Sequence, residues 1–338
     1  MTLSKRLATG LLAVLATAVL SAPAAADPVD NIVFFGDSLS DTGNVWYATG
    51  GFPPAPYNQG SNAGAPDFTG GQWSDPLGPS WPTLFAAQFG LTATPSLVGG
   101  NNYAWGGART GENPEFPLSG GVPWLDQQVA LYLTGAVVSP ATTLASIMIG
   151  GNDVAAAVEA ALFLGDPTLV GNAVVNGITN IANQLVNLYS AADIRQFLVA
   201  NVPDIGASPR FQEIDAAFPG TAAFATYWTM QWNEALAAML HALDLPGADI
   251  DFLDLFAFGS DPDVLAGFAN TTDPCFTGFS ICDNPGSYFY WDSFHPSSTT
   301  HALIAGQALA AVPEPGTLAL LALGLFGLAL SRRRKTTA

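Results

Sequence analysis

Five short apolar runs, each followed by a turn, alternate with helix-prone segments along this chain. They lie at residues 31–35, 101–105, 144–149, 197–202 and 250–255. Continuous apolar runs rich in β-branched and aromatic residues are typical of strands buried on both faces of a parallel sheet. Because a parallel sheet needs crossover helices, the alternation predicts an α/β domain whose five-stranded sheet is covered by helices on both faces.

Helical spacing of apolar residues marks the segments between the runs. Helices are expected at residues 82–89, 122–133, 173–189, 222–243 and 297–311. The stretch 50–78 is instead rich in Gly, Pro, Asn and Ser, with aromatic residues spread through it. It is predicted to be a long surface loop of the kind that shapes a substrate entrance.

The charge of the chain is strongly negative and unevenly distributed. Its 338 residues include 27 acidic and 9 basic side chains, for a net charge of -18. Six of the basic residues lie near the two ends, which leaves Arg109, Arg195 and Arg210 for the body of the chain. Such a body repels phosphate backbones, so nucleic acid is excluded as a partner. A hydrophobic content of 49% excludes disorder and fits one large domain.

The first 26 residues have the three-part layout of a secretory signal peptide. Lys5 and Arg6 precede an apolar stretch from 7 to 20, and Ala24 and Ala26 fit a small-residue cleavage site. An uncleaved membrane anchor is the alternative, but the apolar stretch is short for one. We therefore expect export, with signal peptidase as a processing partner and a mature domain over residues 27–311.

Residues 312–338 have a separate character. Pro313-Glu314-Pro315 precedes an apolar run at 318–330 and a basic cluster at 332–335. A helix of that run is about 20 Å long, short for a bilayer core of about 30 Å, which favours a removable tag over a permanent anchor. The segment resembles the PEP-CTERM sorting signal of Gram-negative bacteria. That resemblance implies transient anchoring in the inner membrane, an exosortase-type processing protease, and delivery to the cell surface or extracellular matrix.

The two cysteines of the chain, Cys275 and Cys282, lie close together in a loop rich in Pro, Gly and Asn. In an exported protein such a pair predicts a disulfide. A metal site is the alternative, but two thiols without nearby histidines do not complete a tetrahedral shell.

A serine stands directly after the first apolar run, in Gly36-Asp37-Ser38-Leu39. Helix-capping residues follow it, so we expect Ser38 at the carboxyl end of a central strand and the amino end of a helix. Open α/β sheets bind their ligands at that edge. The position suits a nucleophile, although Gly-Asp-Ser is also ordinary turn chemistry.

A serine nucleophile needs a general base, and the chain has three histidines. His241 and His301 fall inside predicted helices and are expected to have packing or surface roles. His295 lies instead before Pro296, with Asp292 three residues earlier. In a turn, that spacing lets Asp292 accept from Nδ1–H while Nε2 faces a serine. A chance Asp and His in a loop is the alternative.

Ester cleavage also needs hydrogen-bond donors for the developing oxyanion. Candidates follow the second and third runs: the backbone of Gly107 and the side chain of Asn152. Gly-Gly and Gly-Asn are common turns, so each candidate is weak alone. Ser38, Gly107, Asn152 and His295 together, each at a strand end or in a turn, form a stronger pattern.

At these residues the chain resembles the GDSL, or SGNH-hydrolase, family of esterases and lipases. The matching blocks are Gly36-Asp37-Ser38-Leu39, Trp105-Gly106-Gly107-Ala108, Gly150-Gly151-Asn152-Asp153 and Trp291-Asp292-Ser293-Phe294-His295-Pro296. The resemblance implies a three-layer, flavodoxin-like α/β/α sandwich of strand order 2-1-3-4-5. It also implies ester hydrolysis without metal or cofactor, with Ser38, Gly107 and Asn152 as the oxyanion hole. Whether Gly106 or Gly107 donates stays open.

The expected function is therefore an exported serine esterase or lipase in which Ser38, His295 and Asp292 form the catalytic triad. The substrate is a small-molecule, lipid or acetylated-glycan ester. An O-acetyl polysaccharide deacetylase is one alternative, suggested by the sorting tail. A non-catalytic matrix or glycan-binding protein on the same fold is another.

Overall fold

Four parallel strands form the main sheet in the structure, a computed structural model that describes residues 28–59, 71–111, 121–135 and 142–312. The strands are β1 (Asn31–Gly36), β2 (Thr143–Met148), β3 (Gln196–Ala200) and β4 (Asp249–Leu253). They lie side by side in chain order. The register pairs the final residue of each strand with that of its neighbour. The carboxyl ends of all four strands therefore meet at one edge of the sheet, from which the site loops leave.

The strand predicted at 101–105 is not regular, so the predicted count of five is wrong for the described residues. Three backbone hydrogen bonds join the segment to β1, but it forms one bridge to β1, between Phe34 and Asn102. On the side away from β1, the Asn102 N–H donates to the Thr94 carbonyl and the Ala104 N–H donates to the Asn102 side chain instead of to a neighbouring strand. The segment still flanks β1 on the side away from β2, where the order 2-1-3-4-5 puts it.

Helices account for most of the remaining regular structure. In chain order the helices are α1 (Asn44–Thr49), α2 (Trp81–Gln88), α3 (Leu125–Thr134), α4 (Gly151–Leu164), α5 (Thr168–Ala191), α6 (Pro209–Ala217), α7 (Thr221–Ala242), α8 (Leu255–Ser260), α9 (Pro262–Leu265) and α10 (Ser298–Ala311). The five helices expected from the sequence correspond to α2, α3, α5, α7 and α10. Their observed ends differ from the predicted ones by a few residues.

Alternate side chains of the strands face two separate cores. Val33 and Phe35 of β1 pack in one core with α3 to α7, and Ile32 and Phe34 pack in the other with α2, α8 and α10. All four side chains are fully buried. Each such burial contributes roughly 1.5–3 kcal/mol of transfer free energy. The two cores make a three-layer α/β/α sandwich, which confirms the predicted fold class.

A second, two-stranded parallel sheet lies close to the site and has no counterpart in the predictions. It consists of β5 (Asn270–Pro274) and β6 (Tyr288–Tyr290). The predicted disulfide is confirmed, since Cys275 and Cys282 are bonded directly after β5. Backbone hydrogen bonds from Cys275 to Tyr290 and from Phe276 to Trp291 tie this loop to the chain beside Asp292.

The predicted signal peptide at 1–26 and nearly all of the predicted sorting tail at 312–338 lie outside the described residues. Residues 29–312 form one compact unit. Across the described ranges, no helix has both the length and the hydropathy that a bilayer crossing requires.

Candidate active site

Gly36 sets the path of the chain into Ser38. Its φ is +157°, and a Cβ built there would lie 2.3 Å from the carbonyl oxygen of Met148 on the neighbouring strand. Its N–H and C=O are both held by the side-chain amide of Gln128, each at 2.9 Å. Only glycine allows this close approach of two strands, so the first residue of the Gly-Asp-Ser motif is dictated by packing.

Ser38 lies in a tight turn rather than at the amino end of a helix, which corrects the prediction. The Asp37 carbonyl accepts from the N–H groups of Ser40 and Asp41. Helix α1 begins only at Asn44. The buried Asp41 carboxylate accepts the N–H groups of Gly43 and Asn44 at 2.7 Å and so caps the start of α1. The turn that holds Ser38 therefore precedes the helix.

His295 is positioned by a turn that Asp292 closes. Oδ1 of Asp292 accepts the backbone N–H groups of Phe294 and His295 at 2.7 and 2.6 Å. The Trp291 N–H donates to the His295 carbonyl at 2.8 Å. The spacing of three residues between Asp292 and His295 is thus the spacing of an Asx-type turn, which leaves Oδ2 free to face the imidazole.

Ser38, His295 and Asp292 form one hydrogen-bonded chain. His295 Nδ1 lies 2.7 Å from Asp292 Oδ2, and Nε2 lies 2.8 Å from Ser38 Oγ. Burial acts to raise the pKa of Asp292, but the nearby His295 and hydrogen bonds from His295 and Tyr57 lower it to about 2. An ionised carboxylate only accepts, so the proton of neutral His295 lies on Nδ1 and Nε2 accepts from the serine hydroxyl.

Two aromatic residues from the predicted entrance loop also contact this chain, and sequence analysis missed both. The Tyr57 hydroxyl donates to Asp292 Oδ2 at 2.6 Å. The Trp73 ring lies over the imidazole of His295, with 4.8 Å between ring centroids. Tyr57 is 235 residues from Asp292 in the chain. No local pattern carries that pairing, and the aromatic content of 50–78 was the available signal.

The oxyanion candidates occupy different environments. The Gly106 N–H donates to the buried carboxylate of Asp41 at 2.9 Å, so it is already committed. Gly107 is exposed, with φ +81°, and among the described residues its N–H has no protein acceptor. One N–H of the Asn152 amide donates to the Ala108 carbonyl at 2.9 Å. Two N–H groups therefore remain able to donate to an oxyanion: the second N–H of the Asn152 amide and the backbone N–H of Gly107.

Two carboxyl groups of this region are buried, those of Asp37 and Asp153. Burial raises the pKa of Asp37 to about 7, with Asp153 adding to the rise and the Leu39 N–H and His295 opposing it. Burial also raises the pKa of Asp153 to about 6, against hydrogen bonds from Thr110. Both groups hold protons more readily than ordinary carboxyls, which limits negative charge beside Ser38.

An apolar pocket opens beside Ser38, His295 and Asn152. Its cavity volume is about 80 Å³. The far wall is apolar and is formed by Met148, Val202, Leu255, Phe258, Phe289 and Ile304. An acyl group on Ser38 would therefore lie beside an apolar wall.

The other two histidines lie apart from the serine. His241 is exposed on α7, as expected. His301 is fully buried on α10, where Nδ1 accepts from the Trp81 N–H at 3.3 Å and Nε2 faces the Trp73 carbonyl at 3.4 Å. Within the described part of the chain, no group of three His, Cys, Asp or Glu side chains could hold a metal ion.

His301 makes folding stability depend on pH. Burial lowers its pKa from 6.5 to about 3, although the Trp73 carbonyl opposes the shift. Below pH 6.5 the unfolded chain takes up a proton that the folded chain refuses, so this contribution to stability is present above pH 6.5 and is lost as pH falls towards 3. We expect the unfolding free energy of wild type minus that of His301→Gln to rise with pH by about 1.4 kcal/mol per unit in that window.

Denaturant titrations of the two proteins at several pH values measure this difference. Other titrating groups are common to both proteins and cancel. Stability curves that run parallel between pH 4 and 6 would contradict a neutral buried His301.

A parallel sheet between two helical layers, with a Ser–His–Asp hydrogen-bonded chain at the carboxyl ends of its strands, has the geometry of a serine hydrolase of the α/β class. The family model of GDSL-like lipases and acylhydrolases matches residues 32–307. The chain belongs to that family. The PEP-CTERM protein-sorting motif matches residues 311–335.

Several known proteins are similar to this chain. It is 26% identical over 317 residues to the thermolabile hemolysin of Vibrio parahaemolyticus, covering 84% of this chain and 64% of the hemolysin. It is 27% identical over 275 residues to the phosphatidylcholine-sterol acyltransferase of Aeromonas hydrophila, covering 80% of this chain and 71% of the relative. The chain thus spans less than two thirds of the length of the hemolysin. Among solved structures, the lipase Lip_vut3 from a goat rumen metagenome superposes with a TM-score of 0.46 at 14% identity, covering 84% of this chain and 98% of the lipase.

Proposed function

We propose that this protein is an exported carboxylic ester hydrolase with Ser38 as its nucleophile. The observation that carries the proposal is the hydrogen-bonded chain from Ser38 Oγ through His295 to Asp292, with links of 2.8 and 2.7 Å. These distances lie within the reach that proton transfer needs. Membership of the GDSL-like family supports the same reaction class.

In the proposed reaction, Ser38 Oγ attacks the acyl carbon while His295 Nε2 takes the hydroxyl proton. The imidazolium that forms is stabilised by Asp292 Oδ2. When the tetrahedral intermediate collapses, the alcohol leaves with the proton from Nε2, and Ser38 holds the acyl group. Water then attacks the acyl carbon with His295 again as base, which releases the carboxylic acid and restores the serine.

The oxyanion of each intermediate is assigned to the N–H groups of Ser38 and Gly107 and to the Asn152 amide. The committed Gly106 N–H supports the choice of Gly107 over Gly106. Asn152→Ala is expected to lower kcat by about 10²- to 10³-fold, the usual effect of removing one oxyanion donor. Asn187→Ala, on the exposed side of α5, is the matched control. Steady-state kinetics with equal turnover in the two variants would remove Asn152 from the site.

The apolar pocket favours esters with a hydrocarbon acyl chain over acetate esters. A chain longer than acetyl can bury more apolar surface against this wall, at about 0.8 kcal/mol per methylene buried. The second candidate, an O-acetyl polysaccharide deacetylase, is favoured by the sorting motif at 311–335, which suits a protein of the extracellular matrix.

A substrate panel separates these candidates. We expect kcat/KM on p-nitrophenyl esters to rise from acetyl to octanoyl, with Ser38→Ala as the blank. Activity confined to acetyl esters and acetylated xylan would favour the deacetylase. If a fluorophosphonate probe fails to label Ser38 in the folded wild type, the chain is instead a non-catalytic member of the family.

The proposed organisation includes a signal peptide at 1–26, a hydrolase domain at 27–311 and a sorting segment at 312–338. Signal peptidase and an exosortase-type protease are the proposed processing partners. The proposed destination is the cell surface or extracellular matrix of a Gram-negative bacterium, with transient anchoring through the apolar run at 318–330. Mass spectrometry of the protein recovered from such a host tests both cleavages.

A further inference from the structure

We propose that Tyr57 is a positioning residue for the Asp292–His295 pair. The inference rests on the proposed function, because it deepens the role of the same site. It is carried by one contact that joins the entrance loop to the reacting groups: the Tyr57 hydroxyl donates to Asp292 Oδ2 at 2.6 Å.

The Asp292 carboxylate is held by four donors. Oδ1 accepts two backbone N–H groups of its own turn, and Oδ2 faces both His295 Nδ1 at 2.7 Å and the Tyr57 hydroxyl. Three of these donors come from residues 294 and 295. Tyr57 is the donor from a distant part of the chain, so its hydrogen bond joins the entrance loop to the turn that Asp292 closes.

The shared oxygen gives Tyr57 an electrostatic effect. A hydrogen bond to Oδ2 draws negative charge away from the oxygen that stabilises the imidazolium. Without the hydroxyl, Oδ2 would hold more charge, which favours the charged form of its imidazole partner, and it would lose a hydrogen bond that holds it in place.

The ring of Tyr57 is held independently of its hydroxyl. It makes edge contacts with Trp73, Phe276 and Trp291, at centroid distances of 5.9, 5.8 and 6.1 Å. Phe276 in turn stacks on Trp291 at 5.3 Å, next to the disulfide of Cys275. A phenylalanine at position 57 would keep these contacts, so Tyr57→Phe removes the hydrogen bond with little loss of packing.

The Tyr57 hydroxyl is partly buried and remains a hydrogen-bond donor. Burial, together with the neighbouring Asp292 carboxylate, raises the pKa of Tyr57, so it remains a protonated donor over the working pH range. Tyr57 does not line the apolar pocket, and its removal should leave substrate binding unchanged.

The test compares wild type, Tyr57→Phe and the control Tyr189→Phe. Tyr189 also donates its hydroxyl to an acceptor, the Pro246 carbonyl at 2.9 Å, but on the exposed surface of α5. For Tyr57→Phe we expect kcat to fall about 2- to 10-fold with KM unchanged, because Asp292 Oδ2 loses one of the two hydrogen bonds that hold it opposite His295 Nδ1. We also expect the acid limb of the kcat/KM profile to move up by about half a pH unit. Tyr189→Phe should match wild type in both.

An NMR titration of His295 provides a readout that does not need turnover. The chain has three histidines, so variants of His241 and His301 assign the spectrum. Tyr57→Phe should raise the titration midpoint of His295, whether or not any ester is a substrate. A midpoint that stays unchanged or falls would overturn the proposal for Tyr57. Failure of a fluorophosphonate to label the wild type would overturn the proposed function, and the titration would still decide the role of Tyr57.

Discussion

Replacement of Ser38 by alanine is expected to lower kcat/KM for ester hydrolysis by at least about 10⁴-fold. The reason is that, in the part of the chain that the structure describes, Ser38 Oγ is the hydroxyl that lies within hydrogen-bond distance of His295 Nε2, at 2.8 Å. Without it, catalysis falls to what the oxyanion donors and substrate binding supply together. Initial rates on the preferred p-nitrophenyl ester, with enzyme concentrations spread widely, measure a loss of this size.

The substitution should leave the fold unchanged. Ser38 is small, and its loss removes one hydroxyl at the edge of a pocket, so the melting temperature should stay close to that of wild type. Ser190→Ala is the matched control, since Ser190 lies on an exposed face of α5 with its hydroxyl bonded within the helix. Labelling by a fluorophosphonate should vanish in Ser38→Ala and persist in Ser190→Ala. Residual hydrolysis above a tenth of wild type would place the nucleophile elsewhere.

The contact between Ser38 and His295 joins residues 257 positions apart, yet sequence analysis anticipated it. The prediction was possible because each partner is marked by a local rule. Gly36 marks a strand end at which a Cβ would collide with Met148, and Asp292 marks a turn that it closes with its own side chain. The parallel sheet then brings strand ends to a common edge.

Other features follow from contacts that no local rule describes. Residues 101–105 are apolar enough for a strand, and three backbone hydrogen bonds join them to β1, but on their other side the Ala104 N–H donates to the Asn102 side chain instead of to a neighbouring strand. Capping residues follow Ser38, but the side chain that caps α1 is that of Asp41, so the helix begins at Asn44. In both cases a short polar side chain bonds to nearby backbone groups.

The contact of Tyr57 with Asp292 could not be predicted from the sequence for another reason. The residues around Tyr57 predict only a loop, and Asp292 belongs to a separate motif far along the chain. The link depends on how the long loop folds over the turn, with Trp73 against His295 and Phe276 against Trp291. Nonlocal packing of this kind leaves no periodic trace in one sequence, so the residues that tune the site are harder to predict than those that define it.

Replacement of Asp292 by asparagine is expected to lower kcat about 10⁴-fold while the turn persists. The backbone N–H groups of Phe294 and His295 both point at Oδ1, so an asparagine must direct its carbonyl oxygen towards them. Its NH₂ group then faces His295 Nδ1 and the Tyr57 hydroxyl. An imidazole opposite a donor carries its proton on Nε2, where it cannot accept the proton of Ser38.

Asp166→Asn, a change to an exposed carboxylate far from the serine in the chain, is the matched control and should retain wild-type kcat. The labelling rate of Ser38 by a fluorophosphonate should fall in parallel with kcat in Asp292→Asn, because both reactions need the proton removed from Oγ. An Asp292→Asn protein that keeps more than a tenth of the wild-type rate would mean that the tautomer of His295 does not depend on this carboxylate. If instead the rate falls but labelling is unchanged, the carboxylate acts after nucleophilic attack, when the imidazolium must give its proton to the leaving alcohol.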